Sequence, residues 1–275
     1  MKKKTLLTAA ALVLLVGSLY AHDMYLKFST YFLDPHTETS IALYNGTFDK
    51  SENVITRDRM LDVSIVGPGD EVVHPDTSQW WEKDNVTWLD FKTGEAGTYT
   101  LGVSTASRII ELSAEDFNNY LKHDGVLDML EERKSNGKLN DAARERYSKH
   151  VKAVYQVGDE QTDAYAHRLG YPIEIVPLQN PYTLGVGDTF EALVLSKGYP
   201  VANHLVYASY GGYHSHDDTG GHVEAVKTRT DDKGVVRIEL VHGGPWYVRL
   251  IHMVESAEEG VDYESNWATL TFEVK

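Results

Sequence analysis

The sequence predicts a mainly β protein made of two β-sandwich units with a helical insertion between them. Two observations carry this prediction. Short runs rich in Val, Thr and Tyr recur at regular spacing in residues 22–105 and again from residue 171 onward. A charged stretch with helical periodicity separates the two regions. We therefore divide the chain into a leader at 1–21, an N-terminal sandwich at 22–110, a helical segment at 111–169 and a C-terminal Greek-key sandwich at 170–275.

The leader has the three parts of a secretory signal. Three lysines follow the initiating Met, an apolar run comes next, and Ala21 is a small residue of the kind that precedes a cleavage site. Leu19 is large for the −3 position, which leaves cleavage after Ser18 open. No later stretch reaches the roughly 18 apolar residues of a membrane helix. We expect an exported, periplasmic protein that does not itself span the membrane.

The N-terminal sandwich is predicted from short β-prone runs such as "TSIALYNGTF", "NVTWLDFK" and "GTYTLGVST". Asp-Pro, Asn-Gly and Gly-Pro-Gly turns separate these runs. In the helical segment, Ser113 resembles an N-cap, Phe117 and Leu121 have helical spacing, and Asn136-Gly137 marks an end. Residues 139–158 predict a second helix whose charges form a solvated face.

Seven further β-prone runs within about a hundred residues predict the C-terminal Greek-key sandwich. They begin with "YPIEIVPL" and end with "NWATLTFEV". The sequence "TDDKG", residues 230–234, predicts a tight turn between two of them, because Gly234 can adopt a positive φ.

Composition narrows the function. The chain has no cysteine, which excludes disulfides, thiolate ligands and a lipid-anchored N-terminus. Its formal net charge is −15, and loss of the three leader lysines makes it three units more negative. Such a surface repels nucleic acid and raises the local concentration of cations. We therefore expect no nucleic-acid partner. The catalytic motifs G-x-S-x-G, P-loop and H-E-x-x-H are absent from the sequence.

Three C-terminal segments and the start of the mature chain carry a family resemblance. They are "YPIEIVPLQNPYTLGVGDTFEALVLSKGYPVANHLVYASY", "TRTDDKGVVRIELVHGGPWYVRLIHM", "DYESNWATLTFEV" and "AHDMYLKF". Together they resemble a family of exported bacterial proteins of unknown function, often described as periplasmic components of nickel or cobalt uptake. The "TDDKG…GPWYVRL" portion also resembles the transthyretin-like or carboxypeptidase-regulatory sandwich. The resemblance implies immunoglobulin- or prealbumin-like units, a metal-ion partner and a separate membrane transporter.

His22 would be the first residue after cleavage at Ala21. A free α-amine and the imidazole Nδ1 of one residue can close a chelate ring on a metal ion. Nitrogen donors of this kind suit Ni(II), Co(II), Cu(II) and Zn(II). The alternative is that His22 is an accident of processing at a frayed terminus.

A second cluster of candidate ligands is the segment "YHSHDDTGGH", residues 213–222. His214 and His216 would share one face of a strand, and His222 follows two glycines that allow the chain to turn back. Asp217 adds oxygen donors that could ligate a metal or orient an imidazole. The alternative is a polar hairpin loop with solvated histidines.

His252 is the expected internal partner of His22. By strand alternation it shares a face with Trp246, Val248 and Leu250, where a core histidine is the default. The family resemblance makes it a candidate ligand, and it implies the same for Glu264.

These observations predict a non-enzymatic metal-binding protein that supports uptake of nickel or cobalt, with copper or zinc as further candidates. Two alternatives stay open. One is a copper enzyme of the histidine-brace oxidase or monooxygenase type, and the other is a structural or adhesive module.

Overall fold

A computed structural model describes residues 22–215 and 223–275. The predicted leader, His216, Asp217 and His222 lie outside the described residues. The helices are α1 (Ala114–His123) and α2 (Leu127–Ser135). The strands, in chain order, are β1 (Asp23–Lys27), β2 (Phe32–Leu33), β3 (Glu38–Gly46), β4 (Met60–Val66), β5 (Val72–Val73), β6 (Trp80–Lys83), β7 (Val86–Lys92), β8 (Gly97–Thr105), β9 (Arg108–Leu112), β10 (Ala143–Val157), β11 (Ile173–Pro177), β12 (Thr189–Ser196), β13 (Tyr199–Pro200), β14 (Leu205–Tyr210), β15 (Val226–Arg229), β16 (Val235–Glu239), β17 (Gly244–Glu255) and β18 (Tyr263–Val274).

The strands form three sheets, so the protein is mainly β, as predicted. A ten-stranded central sheet has the order β15-β14-β17-β18-β10-β8-β4-β5, and β2 and β9 also pair with β10. A first outer sheet has the order β1-β3-β7-β6. A second outer sheet contains β11, β12 and β13, and β16 pairs with β12. Neither α-helix of the described ranges is long and apolar enough to cross a membrane.

The two outer sheets cover opposite faces of the central sheet. Successive side chains of a strand point to opposite faces, so Thr271 and Phe272 of β18 face apart. Thr271 donates a hydrogen bond to the carbonyl of Leu26 in β1 at 2.6 Å. Phe272 packs on Phe190 of β12, with ring centroids 4.5 Å apart. Two β-sandwiches therefore share one central sheet, and we call the sides toward β1 and β12 the first face and the second face.

The helical part of the chain is shorter than predicted. Ser113 accepts a hydrogen bond from the Asp116 N–H and caps α1, and α1 buries Phe117 and Leu121 as expected. Gly125, at φ +80°, interrupts the segment before α2 begins. Both helices pack on the first face of the central sheet, in a cluster that includes Trp267.

The predicted second helix at 139–158 is wrong, because residues 143–157 form β10, a strand of fifteen residues. β10 lies between β18 and β8 in the central sheet and is buried along most of its length. The charges of Glu145 and Lys149, expected on a solvated face, are consequently enclosed by neighbouring elements. The reason is tertiary: their polar partners come from distant parts of the chain.

Candidate functional site

A cavity of about 190 Å³ opens on the first face of the central sheet, between the start of β1, helix α1 and strands β9, β10 and β18. It is lined by polar and aromatic side chains together with two aliphatic ones: His22, Asn45, Arg59, Ile110, Leu112, Tyr120, Glu145, Tyr147, Lys149 and Trp267. Four of the predicted metal ligands lie in the described residues, namely His22, His214, His252 and Glu264, and of these four His22 lines the cavity.

His22 directly precedes β1 and stands beside a carboxylate. Its Nε2 lies 2.5 Å from Oε2 of Glu52. A carboxylate can only accept a hydrogen bond, so this contact places a proton on Nε2. In the neutral imidazole, Nδ1 then keeps its lone pair. In that tautomer, the nitrogen that could form a chelate with an α-amine is the one that carries the lone pair.

The sequence after β3 places Glu52 next to His22. β1 pairs with β3 so that Asp23 lies opposite Gly46, and a turn beyond Gly46 brings the chain back. The Glu52 N–H donates to the carbonyl of Asn45 at 3.0 Å. A Cβ at Gly46 would lie 2.3 Å from the Lys50 carbonyl oxygen, so this close approach requires glycine.

Lys149 joins the His22 backbone to the central sheet. Its Nζ donates to the carbonyl oxygen of His22 and, at 2.8 Å, to Oδ1 of Asn45. It also lies 5.3 Å from the centroid of the Trp267 ring. Burial lowers the pKa of Lys149 to about 8, although the nearby Asp23 acts in the opposite direction. The buried amine of Lys149 is thus hydrogen-bonded to the residue that is predicted to begin the mature chain.

Glu145 is the carboxylic acid of the cavity wall. Burial raises its pKa from about 4.5 to about 7, against the effect of hydrogen bonds from Ser265 and Tyr120. The Tyr120 hydroxyl donates to it at 3.1 Å. The Tyr120 ring is parallel to Trp267, with centroids 6.0 Å apart. Acid and aromatic groups therefore form one packed unit of the wall.

A buried ion cluster fixes the chain next to His22. Nε of Arg249 lies 3.3 Å from Oδ2 of Asp23, and the same nitrogen donates to Glu224 at 2.6 Å. Nη1 of Arg249 donates to the carbonyl of Asp124 at 3.0 Å. Desolvation raises the pKa of Asp124 well above its ordinary value. The cluster anchors the first residue of β1 to β17, and this anchoring limits the positions that His22 can adopt.

The predicted partners His252 and Glu264 lie on the second face. In the register of β17 with β18, Ile251 is opposite Trp267 and His252 is opposite Asn266. Because alternate residues face apart, the central sheet separates His252 from the Trp267 wall of the cavity. The structure therefore does not bring His252 to His22.

On the second face, His252 has other neighbours. Its ring centroid lies 5.5 Å from that of His204. Burial lowers the pKa of His252, Lys197 adds to that effect, and Glu264 opposes it. Glu264 also accepts a hydrogen bond from Asn266 at 3.3 Å. His214, the remaining described member of the histidine segment, is exposed.

No three His, Asp or Glu side chains converge as a metal site within residues 22–215 and 223–275. A site at His22 would use a backbone amine as well as a side chain. Sequence reasoning missed Glu52, for which the sequence holds no signal. It also missed Glu145 and Lys149, although a strand interpretation of 143–157 would have placed both on one face.

The fold and the cavity define a class: a double β-sandwich protein with a polar, aromatic-lined cavity next to its first strand. Within that class the chain belongs to the family described as "Domain of unknown function (DUF4198)", whose profile matches residues 19–254. This confirms the predicted membership in a family of unknown function. No curated protein matches the chain.

Solved structures of low similarity cover most of the chain. Trypsin-activated alpha-2-macroglobulin from Escherichia coli is 11% identical over 92% of this chain, with a TM-score of 0.26, and this chain spans 16% of its length. The D0-D1 domain of intimin is 10% identical over 91% of this chain and 97% of its own, with a TM-score of 0.22. The Yersinia pseudotuberculosis adhesin InvE is 13% identical over 90% of this chain and 58% of its own, with a TM-score of 0.21.

Proposed function

We propose that this protein is exported and carries a divalent transition-metal ion, bound through the α-amine and Nδ1 of His22 after cleavage at Ala21. The ion is cargo that a separate membrane transporter receives, and no catalytic step is involved. The sequence resemblance favours nickel or cobalt, and copper and zinc accept the same nitrogen donors. The same resemblance supports a transthyretin-like assignment for residues 170–275.

The contact between His22 and Glu52 carries the proposal. Metal-binding histidines usually donate their second ring N–H to a carboxylate or carbonyl, which fixes the tautomer and the ring orientation. Glu52 supplies that acceptor at Nε2, which leaves Nδ1, the ring nitrogen nearer to the backbone in the covalent structure, for the metal. The amine and Nδ1 provide two ligands, and water or donors carried with the ion fill the other positions.

The net charge of the whole molecule also favours a cation. The whole molecule is strongly acidic, which raises the local concentration of metal ions. The side chain of His22 keeps 22% of its exposure, so an ion can reach it from solvent. His252 has no place in this site, because it lies across the central sheet.

The deciding experiment combines N-terminal sequencing of the exported protein with metal titration. We expect the mature chain to begin at His22 and to bind Ni(II) or Co(II). One alanine added before His22 converts the amine into an amide. We expect it to weaken binding by about 100-fold or more, because loss of even an outer-shell partner costs roughly 10–100-fold. Glu52→Ala should weaken binding by about 10–100-fold, because it removes the acceptor that fixes the tautomer and the ring orientation.

His36 offers a matched control. Its Nε2 lies 3.4 Å from Oε2 of Glu95, so it too is a histidine beside a carboxylate, but its backbone nitrogen is part of a peptide bond. His36→Ala should leave metal affinity unchanged. Equal binding by the mature and extended chains would refute the amine as a ligand. Reductant-dependent peroxide formation by the copper-loaded protein would favour the oxidase alternative.

A further inference from the structure

The cavity at His22 has positive charge on its wall in a molecule whose net charge is strongly negative. Arg59 and Lys149 both line it. Neither has a carboxylate within 4 Å among the residues that the structure describes. Buried charges in proteins are ordinarily paired. Two cations without an ion-pair partner on one cavity wall therefore need an explanation.

Arg59 is the less satisfied of the two. Its Nε and Nη2 are buried without a hydrogen-bond partner in the described structure. Burial lowers the pKa of Arg59, and the like charge of Arg108 adds to this effect. The positive charge of Arg59 also lies close enough to Lys149 to lower the pKa of Lys149. An anion in the cavity would relieve the repulsion between these two groups.

The acid on the wall does not neutralise this charge. The carboxyl of Glu145 already accepts hydrogen bonds from Ser265 and Tyr120. Its pKa near 7 keeps it largely neutral under mildly acidic conditions. The cavity therefore retains a positive balance.

Apolar and aromatic side chains form a large part of the remaining wall. Trp267 and Tyr120 form a stacked pair, and Ile110 and Leu112 of β9 add an aliphatic surface. Binding sites for small molecules usually combine an apolar lining with a few convergent polar groups. At about 30 Å³ of liquid per water molecule, the volume of the cavity corresponds to roughly six water molecules. A small organic acid occupies a comparable volume.

We propose that this cavity is a binding site for a small organic monocarboxylate with an aromatic or branched aliphatic body, its carboxylate held by Arg59 and Lys149 and its body by Trp267, Tyr120 and Leu112. The site does not depend on a metal at His22. A carboxylate is the anion that fits best, because guanidinium groups match its geometry and the apolar wall excludes a fully hydrated ion.

Calorimetric titration without added metal tests the proposal, with benzoate as the probe. Benzamide has the same shape without the charge, and acetate has the charge without the ring. We expect benzoate to bind and each comparison compound to bind about tenfold more weakly or worse, because a hydrogen bond to a charged group and a buried ring each contribute that much. 3-Methylbutanoate should bind as a second acid with an apolar body.

Two variants locate the site. Arg59→Gln should weaken benzoate binding by about tenfold or more. Arg57→Gln removes the same charge from the same short 3-10 turn at a residue that does not line the cavity, and it should leave binding unchanged. Benzoate should alter tryptophan fluorescence, and Trp267→Phe should abolish that change. Circular dichroism establishes that each variant is folded.

Equal affinity for benzoate and benzamide, unchanged binding by Arg59→Gln, or failure of both acids to bind below millimolar concentration would overturn the proposal. Because no metal is present, none of these results bears on the metal site. Conversely, loss of metal binding in the extended chain would leave the carboxylate site standing.

Discussion

Both faces of β10 bury polar and charged residues, but the partners of these residues differ between the two faces. On the first face, Glu145 and Lys149 line a cavity, and neither forms an ion pair in the described part of the chain. On the second face, Lys152 lies 3.3 Å from Glu174, and His150 contacts hydroxyl groups and an amide of neighbouring strands. Buried polar groups that all have protein partners indicate a structural role. Charged groups that lack an ion-pair partner beside an open cavity indicate a binding role.

On the second face, both carboxylate oxygens of Glu174 have hydrogen-bond partners. It accepts hydrogen bonds from the N–H groups of Leu169, Gly170 and Tyr171 at 2.9, 2.6 and 3.0 Å. Lys152 donates in addition to the carbonyl of His167 at 3.0 Å. The charges of Lys152 and Glu174 therefore both have fixed protein partners, as expected for a structural ion pair.

The largest expected effect is on the second face. Lys152→Met removes one partner of a buried ion pair and leaves Glu174 without its cation. We expect a loss of about 3–5 kcal/mol in the free energy of unfolding, because an uncompensated buried charge remains. Urea denaturation measures it. Metal and benzoate binding should persist in the folded variant. A loss below about 1 kcal/mol would contradict the assignment of this pair as structural.

Glu145→Gln tests the first face through the pH dependence of the free energy of unfolding. The folded-state pKa of Glu145 is raised to about 7, so its contribution to stability is complete below about 4.5 and is lost as the pH rises through 7. At about 1.4 kcal/mol per unit, the wild-type protein loses about 3 kcal/mol from this group between pH 4.5 and pH 8.

The glutamine variant lacks this dependence while its amide oxygen can still accept from Ser265 and Tyr120. We expect it to match the wild type near pH 4.5 and to be the more stable protein at pH 8, as measured by urea denaturation at each pH. Glu131→Gln on the exposed side of α2 controls for the change in net charge. Parallel pH profiles of Glu145→Gln and wild type would show that the acid is not buried in the manner described.

A smaller effect is expected for Lys149→Met. No carboxylate lies within 4 Å of Lys149 in the described residues, so its removal leaves only the carbonyl of His22 and Oδ1 of Asn45 without a donor. We expect a loss of about 1–2 kcal/mol of stability, together with weaker benzoate binding. A loss equal to that of Lys152→Met would remove the distinction between the two faces.

The smallest effect is expected for His252. His252→Asn should change the affinity for Ni(II) by less than about threefold, well under the 10–100-fold cost of losing even an outer-shell partner of a metal site. Isothermal titration of the mature protein measures it. A loss comparable to that of the N-terminal extension would show that His252 ligates the ion despite its place across the sheet.

Alternation along the chain predicted much of the β-structure. Trp246, Val248 and Leu250 of β17 are all buried, as expected for residues on one core-facing side. The same reasoning failed for β10, because its many charged residues suggested a solvated helix. Glu145 and Lys149 have partners, Ser265 and His22, that lie more than a hundred residues away, and no local pattern reports contacts over that separation.

The sequence by itself determined that the chain would be mainly β, acidic and free of cysteine, and it predicts that His22 is a nitrogen donor for a metal ion. Tertiary structure alone decided that Glu52 lies beside His22, that His252 does not, and that His22 lines a cavity whose described wall holds two cations without an ion-pair partner. The physical reason is that side-chain periodicity is local, whereas a binding site depends on which strands pair and which faces they cover.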